Sequence, residues 1–138
     1  MEIKSGNEPM MRFEIFLTVE SAKNAIQFYV VELKLFRVRI EYGMETFLLC
    51  SVDNKVACLS IREGNVAPNI YPLFAIGVKD CDEEFARVNK IKFSNGARIV
   101  PDRNGFLQVS DFPTGKTFSM EDPSGNRFIL SEDYLDVN

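Results

Sequence analysis

The stretch Phe118-Ser119-Met120-Glu121-Asp122-Pro123-Ser124-Gly125-Asn126-Arg127-Phe128-Ile129-Leu130 decides the fold. Pro123 fits the second position of a type I turn, and Gly125 fits the left-handed position that follows. A type I turn with a G1 bulge pairs Asp122 with Asn126 and makes a hairpin of the flanking residues. Side chains alternate across a strand. This register therefore sends Phe118, Met120, Phe128 and Leu130 to one face, and Ser119, Glu121, Arg127 and Ile129 to the other. The apolar face is expected under a helix, with the mixed face turned away from it.

Working back from the hairpin, Pro72, Phe74, Ile76 and Val78 alternate with Tyr71, Leu73, Ala75 and Gly77, which reads as a strand. Asp80 caps a helix carrying Cys81, Phe85 and Val88 on its inner face. Near the start, Met11, Phe13, Ile15, Leu17 and Val19 alternate with Arg12, Glu14, Phe16 and Thr18. Ser21 caps a second helix, with Ala22, Ala25, Ile26, Tyr29, Val30 and Leu33 at helical spacing. Strands are expected over 35–41, 45–51 and 55–62, and again near 97–100, 117–121 and 126–131.

The order is βαβββ twice, and the halves superpose in sequence. Phe13 through Ser21 align with Pro72 through Asp80, so the two caps coincide, and Glu45-Thr46-Phe47 align with Lys116-Thr117-Phe118. Chance similarity between two amphipathic βα units is the alternative, but the order kept through helix and hairpin favours a duplication. The second half carries an extra piece, 102–114, with Gly105, Phe106, Phe112 and Pro113. It reads as either a lid or a plain surface loop.

Composition narrows the chemistry. The chain has 138 residues, 46% of them hydrophobic and 26% charged, which suits one globular domain. It has no histidine, so Ser-His and Cys-His pairs and imidazole-bound metals are excluded. The net charge of −4 argues against a nucleic-acid platform and an anionic membrane surface. No apolar run approaches the roughly 20 residues of a membrane span, and the first residues have no secretory core. Cys50, Cys58 and Cys81 are odd in number without C-x-x-C spacing. They read as reduced thiols, with Cys50 and Cys58 buried and inert on adjacent strands, in a cytoplasmic protein.

Phe13-Glu14-Ile15-Phe16-Leu17-Thr18-Val19, Ala25-Ile26-Gln27-Phe28-Tyr29 and the hairpin Phe118–Leu130 together resemble the vicinal oxygen chelate superfamily, which includes glyoxalase I, bleomycin-resistance proteins and extradiol dioxygenases. The resemblance implies an α+β fold: two βαβββ modules (about 11–65 and 70–131) forming a cupped eight-stranded mixed sheet with helices on the outer face. Residues 1–10 would be a flexible tail, 11–138 a single domain, and the acidic ending Ser131–Asp136 a solvated tail. Homodimers are common in such a family, with the cup often shared between chains. Divalent-metal ligands in its metal-dependent members come from the first and last strands of each module. Here those positions match Glu14, Cys58, Leu73 and Ile129. One carboxylate and one thiol make about half a site, so no metal or other cofactor is expected.

The resemblance therefore points to a metal-free small-molecule-binding protein that takes an apolar or cationic ligand in the cup. Its expected ligand-binding residues are Glu14, Phe16, Leu48, Cys58, Ser60, Arg62, Leu73, Ala75, Ser119 and Ile129, and none is assigned a catalytic role. Glu14 would anchor the ligand, unless it pairs with Arg12, Arg62 or Arg127 or holds a metal. The alternatives are a metal-dependent glyoxalase- or dioxygenase-type lyase or oxidoreductase, and a non-catalytic dimeric interaction domain with a filled cup.

Overall fold

The alternating run at the start becomes β1, Phe13–Val19, in a computed structural model that describes residues 11–67 and 69–135. The expected tail, 1–10, lies outside the described residues. Ser21 then caps α1, Ala22–Ile26, with Asn24 N donating to Ser21 Oγ at 3.1 Å. The chain continues as a π-helical turn, Gln27–Glu32, where the sequence spacing implies plain α-helix. Leu33 N donates to Phe28 O, and the adjacent Phe28 and Tyr29 are both fully buried.

Module one continues with β2 (Phe36–Gly43), β3 (Thr46–Ser51) and β4 (Ala57–Glu63). Its four strands run in the order β1-β4-β3-β2, with β1 parallel to β4. Module two repeats the plan with β5 (Ala75–Gly77), α2 (Cys81–Asn89), β6 (Arg98–Val100), β8 (Gly115–Glu121) and β9 (Arg127–Asp133). β7 (Ser110–Phe112) lies within the extra piece and pairs with β8. The order is β5-β9-β8-β6, and β5 is parallel to β9. The fold is the expected α+β pair of βαβββ modules. Its strands form a four-stranded and a five-stranded sheet, not one continuous sheet of eight, because β1 and β5 keep free edges and 102–114 adds β7.

The duplication reaches into the polar contacts. Ala22 N, at the start of α1, donates to Glu63 Oε2 at 2.8 Å. Cys81 N, at the start of α2, donates to Glu132 Oε1 at 2.9 Å. Each module thus closes its helix onto its own last strand. This overturns the reading of 131–136 as a solvated tail: Ser131–Asp133 continue β9, and Tyr134 donates its hydroxyl to Asp111. Asp136 lies outside the described residues.

The decisive hairpin folds as read. Asp122 N donates to Asn126 O, and Gly125 has φ +88. Phe118 opposes Leu130, Met120 opposes Phe128, Ser119 opposes Ile129 and Glu121 opposes Arg127. Phe118, Met120, Phe128 and Leu130 are buried in one core with Leu17, Val19, Phe28, Tyr29, Leu59 and Ile61 from module one. Burying each such side chain contributes about 1.5–3 kcal/mol, so this shared core is the main bond between the halves.

A polar latch accompanies it. The buried Asp122 accepts hydrogen bonds from Tyr29 Oη (2.9 Å), Ser124 N (2.9 Å), Asn126 N (2.9 Å) and Asn126 Nδ2 (3.0 Å). Asn126 Nδ2 also donates to Thr18 O on β1, and Glu20 N donates to Ser124 Oγ. Burial pushes the Asp122 carboxyl up, against the lowering effect of these donors. Burial beside Asp122 pushes the Tyr29 phenol well above its usual range.

Candidate functional site

Each sheet has one face under its helix and one face turned away. Register places the expected cup residues on the second face. In module one, Glu14 opposes Cys58, Phe16 opposes Ser60, Thr18 opposes Arg62 and Leu48 opposes Ser60. In module two, Ala75 opposes Ile129, Ser119 opposes Ile129, and Leu73 N donates to Arg127 O. The face is mixed in exposure. Leu48 and Cys58 are buried, and Ile40 packs on them, whereas Phe16 is 80% exposed.

Glu14 does not stand alone. Arg12 Nε and Nη2 both donate to its Oε2, at 3.0 and 2.8 Å. The expected ligand anchor is thus engaged by the residue just ahead of its own strand.

Cys58 is also engaged. The β3–β4 register sets it directly opposite Cys50, with Cα atoms 4.2 Å apart, and the two sulfurs are paired as a disulfide. The expectation of three reduced thiols is therefore corrected. Sequence patterning puts the two on adjacent strands, but their direct opposition depends on the length of the turn between them. Cys81 is free and buried. Burial and the charges of Asp82 and Glu132 push its thiol to about 11, far from a reactive thiolate.

These residues do not fit a divalent metal. Such an ion needs several oxygen or imidazole donors in defined geometry. Glu14 is held by Arg12, Cys58 is bonded to Cys50, and the side chains of Leu73 and Ile129 offer no donor. The repeat geometry does not improve the set. Leu48 and Ser119 are equivalent by alignment, and their cross-strand partners are Ser60 and Ile129. Ser60 therefore stands where Ile129 stands in the other module, and one hydroxyl adds little. Among the described residues no group of three His, Cys, Asp or Glu is placed to hold an ion.

Where the free edges of β1 and β5 separate, a cavity of about 610 Å³ opens between the modules. Its walls include Phe13, Ile15, Phe36, Leu59, Phe74, Ile76 and Val78, and Gly77 lies on its border. Asp53, Asp80, Glu83 and Glu84 line it too, against a single Lys79. The size and apolar walls suit a small organic molecule, and the four carboxylates favour a cation over an anion. Of the ten expected ligand residues, Cys58 and Ala75 reach this cavity. Glu14, Phe16, Leu48, Ser60, Arg62, Leu73, Ser119 and Ile129 do not line it.

Sequence reading missed the acidic lining, since Asp53 sits in the β3–β4 turn and the other three at the start of α2. The sole signal was the clustering Asp80-Cys81-Asp82-Glu83-Glu84 after an apolar strand. The 102–114 piece is no lid in this structure. Asp102 Oδ1 accepts from Asn104 N and Phe106 N, tying the piece into a local turn, and Phe106 and Phe112 face solvent away from the cavity.

Fold and cavity together define a two-module scaffold able to enclose a small molecule. Solved structures share it. UcmS2 superposes with a TM-score of 0.67 at 18% identity, over 90% of this chain and 98% of that one. TnmS3, an antibiotic binding protein from Streptomyces sp. CB03234, gives 0.67 at 16% identity, over 92% and 98%. A glyoxalase/bleomycin resistance protein/dioxygenase from Alicyclobacillus acidocaldarius gives 0.66 at 18% identity, over 96% of both chains. No family model matches the sequence, and no curated protein matches it. The chain shares its fold with solved glyoxalase/bleomycin resistance/dioxygenase proteins. Among the described residues, no helix is long and apolar enough to cross a membrane.

Proposed function

We propose that this protein binds a small apolar or cationic organic molecule in the cavity between its modules, without a metal and without making or breaking bonds. The observation that carries the reading is the cavity itself: apolar walls from both modules with four carboxylates and one lysine among them. Phe74 stacks on Phe128 at 4.9 Å behind the wall, so that wall is fixed before a ligand arrives. TnmS3, which shares the fold, is an antibiotic binding protein, and this supports a sequestering role. The enzymatic alternative needs a metal for which these donors do not fit. The proposal includes a homodimer. Met11, Phe13 and Phe16 are more than half exposed at or beside the free edge of β1, and a second copy would cover them.

The test is a thermal-shift titration with ethidium as cationic aromatic probe and N-phenyl-1-naphthylamine as neutral probe. A ligand at a hundred times its Kd adds about 2.7 kcal/mol of stability. Ala57 lines the cavity and lies on the same face of β4 as Leu59, so Ala57→Phe places a ring in it. Both probes should stabilise the wild type and neither should stabilise Ala57→Phe. Equal stabilisation of the two proteins would exclude the cavity.

A further inference from the structure

We propose that the Cys50–Cys58 disulfide is a redox switch on the cavity: exchange with a small dithiol frees the turn 51–57 and weakens ligand binding between the modules. The inference rests on the reading of that cavity as a ligand site. The disulfide lies where the β3–β4 ladder ends. The register runs from Thr46 opposite Arg62 to Cys50 opposite Cys58, and the cysteines are its last pair. Beyond them the chain leaves the ladder, and Val52 through Lys55 are exposed. The turn is held by its own polar groups. Ser51 Oγ accepts from Asp53 N and Asn54 N, both at 3.2 Å, and Asn54 Oδ1 accepts from Val56 N at 3.0 Å. A segment with so few buried contacts opens locally with ease unless its ends are tied. The disulfide ties them.

This turn is also a wall of the cavity. Ser51, Asp53, Asn54, Ala57 and Cys58 all line it. The turn reaches two more lining residues through the backbone: Phe13 N donates to Val56 O at 2.7 Å, and Val52 N donates to Leu35 O at 3.1 Å. Freedom in the turn therefore passes to the start of β1 and to the residue before β2. A ligand then has to order these segments as it binds, and that entropy is subtracted from its affinity. With the disulfide closed, the order is present beforehand.

The fold itself does not depend on the bond. It joins residues only eight apart, in a hairpin whose Leu48, Leu49, Leu59 and Ile61 are buried. Two reduced thiols also suit the place, because cysteine behaves as a small apolar side chain and Leu48 and Ile40 pack there. Both redox states are thus compatible with one fold, which is what a switch requires. The exchange balances with a dithiol. Its thiolate attacks one cysteine sulfur, the S–S bond breaks, and the other cysteine leaves as thiolate. The second thiol of the reagent then displaces the cysteine held in the mixed disulfide. The protein gains two electrons and two protons as a pair of thiols, and the reagent is oxidised to its cyclic disulfide. Cys58 borders the cavity, which offers the reagent a way in. Cys81 takes no part, since it is buried at the start of α2 in the other module.

The probe is ethidium, titrated by fluorescence into the oxidised protein and into protein held in dithiothreitol. The reduced protein should keep its far-ultraviolet circular dichroism and its cooperative unfolding. Amide exchange should quicken at 52–57 and stay unchanged across the 118–130 hairpin. Ethidium should bind the reduced protein at least fivefold more weakly. Binding and reduction are linked, so saturating ethidium should raise by the same factor the ratio of reduced to oxidised dithiothreitol needed for half-reduction. The double variant Cys50→Ser, Cys58→Ser should bind like the reduced protein and ignore dithiothreitol. Equal ethidium affinity in the two redox states, or loss of the fold on reduction, would overturn the switch and leave the cavity reading standing. No binding in either state would overturn both.

Discussion

Replacing Asp122 by Ala removes the acceptor on which the two modules converge. Four hydrogen bonds end on that carboxylate, from Tyr29 Oη, Ser124 N, Asn126 N and Asn126 Nδ2. Asn126 Nδ2 keeps Thr18 O as a second acceptor, and Ser124 N is near solvent. Tyr29 Oη and Asn126 N are left buried and unpaired, at about 1–3 kcal/mol each. Relief of the buried charge, the same burial that pushes the Asp122 carboxyl up, returns part of this. The net loss should be about 3 kcal/mol. Tyr29→Phe removes one donor and leaves no hole, so it should cost about 1.5 kcal/mol. The two changes share one bond, and the double variant should fall short of the sum by about 1 kcal/mol. Urea unfolding at pH 7 measures all three, and at about 4 °C per kcal/mol the Asp122→Ala melting point should drop by about 12 °C. A Tyr29→Phe protein as stable as the wild type, or strictly additive losses, would refute the latch.

Further outcomes follow from the same structure. Tyr29 and Cys81 both have raised folded-state pKa values, so the folded protein favours their neutral forms. The stability they contribute is complete below pH 9 and lost above it. For Cys81 the loss runs from 9.0 to about 11, and for Tyr29 it begins near 10.0. Urea unfolding between pH 8 and 10.5 should show the decline, and Cys81→Ser should flatten its first part; a flat wild-type profile would contradict the burial of both groups. Alkylation of the unfolded protein should label one thiol without reductant and three with it, and the pair, eight residues apart, should add about 2–3 kcal/mol. Gly115→Ala should cost about 2 kcal/mol by urea unfolding, because a Cβ there runs into the backbone carbonyl of Glu132 across the β8–β9 pair.

Much of the fold is legible because local and global signals agree. Pro123 and Gly125 fix the hairpin register by backbone geometry alone, and the register fixes which residues face the core. Ser21 and Asp80 cap helices where side-chain chemistry requires a cap. What stays hidden depends on distances between segments. The opposition of Cys50 and Cys58 turns on the length of one turn. The pairing of Glu14 with Arg12 turns on rotamers within one strand. The cavity arises where β1 and β5 part, and no pattern within either strand encodes that gap. Ten residues were read as ligand contacts from the alternation of one face. The cavity takes most of its walls from the other face, where Phe13, Ile15, Leu59, Phe74 and Ile76 lie at the open end of the shared core. Of the expected ligand positions, Glu14 is ion-paired, Cys58 is in a disulfide, and Leu73 and Ile129 are aliphatic, while the register makes Ser60 rather than Cys58 the counterpart of Ile129.

The most direct test of ligand binding between the modules is an amide chemical-shift titration of the isotopically labelled protein with ethidium. The account predicts saturable shifts centred on Phe74–Asp80, Ala57–Leu59 and the turn at Asp53–Asn54, which border the cavity. Shifts confined to the 102–112 segment, or none at saturating probe, would contradict it.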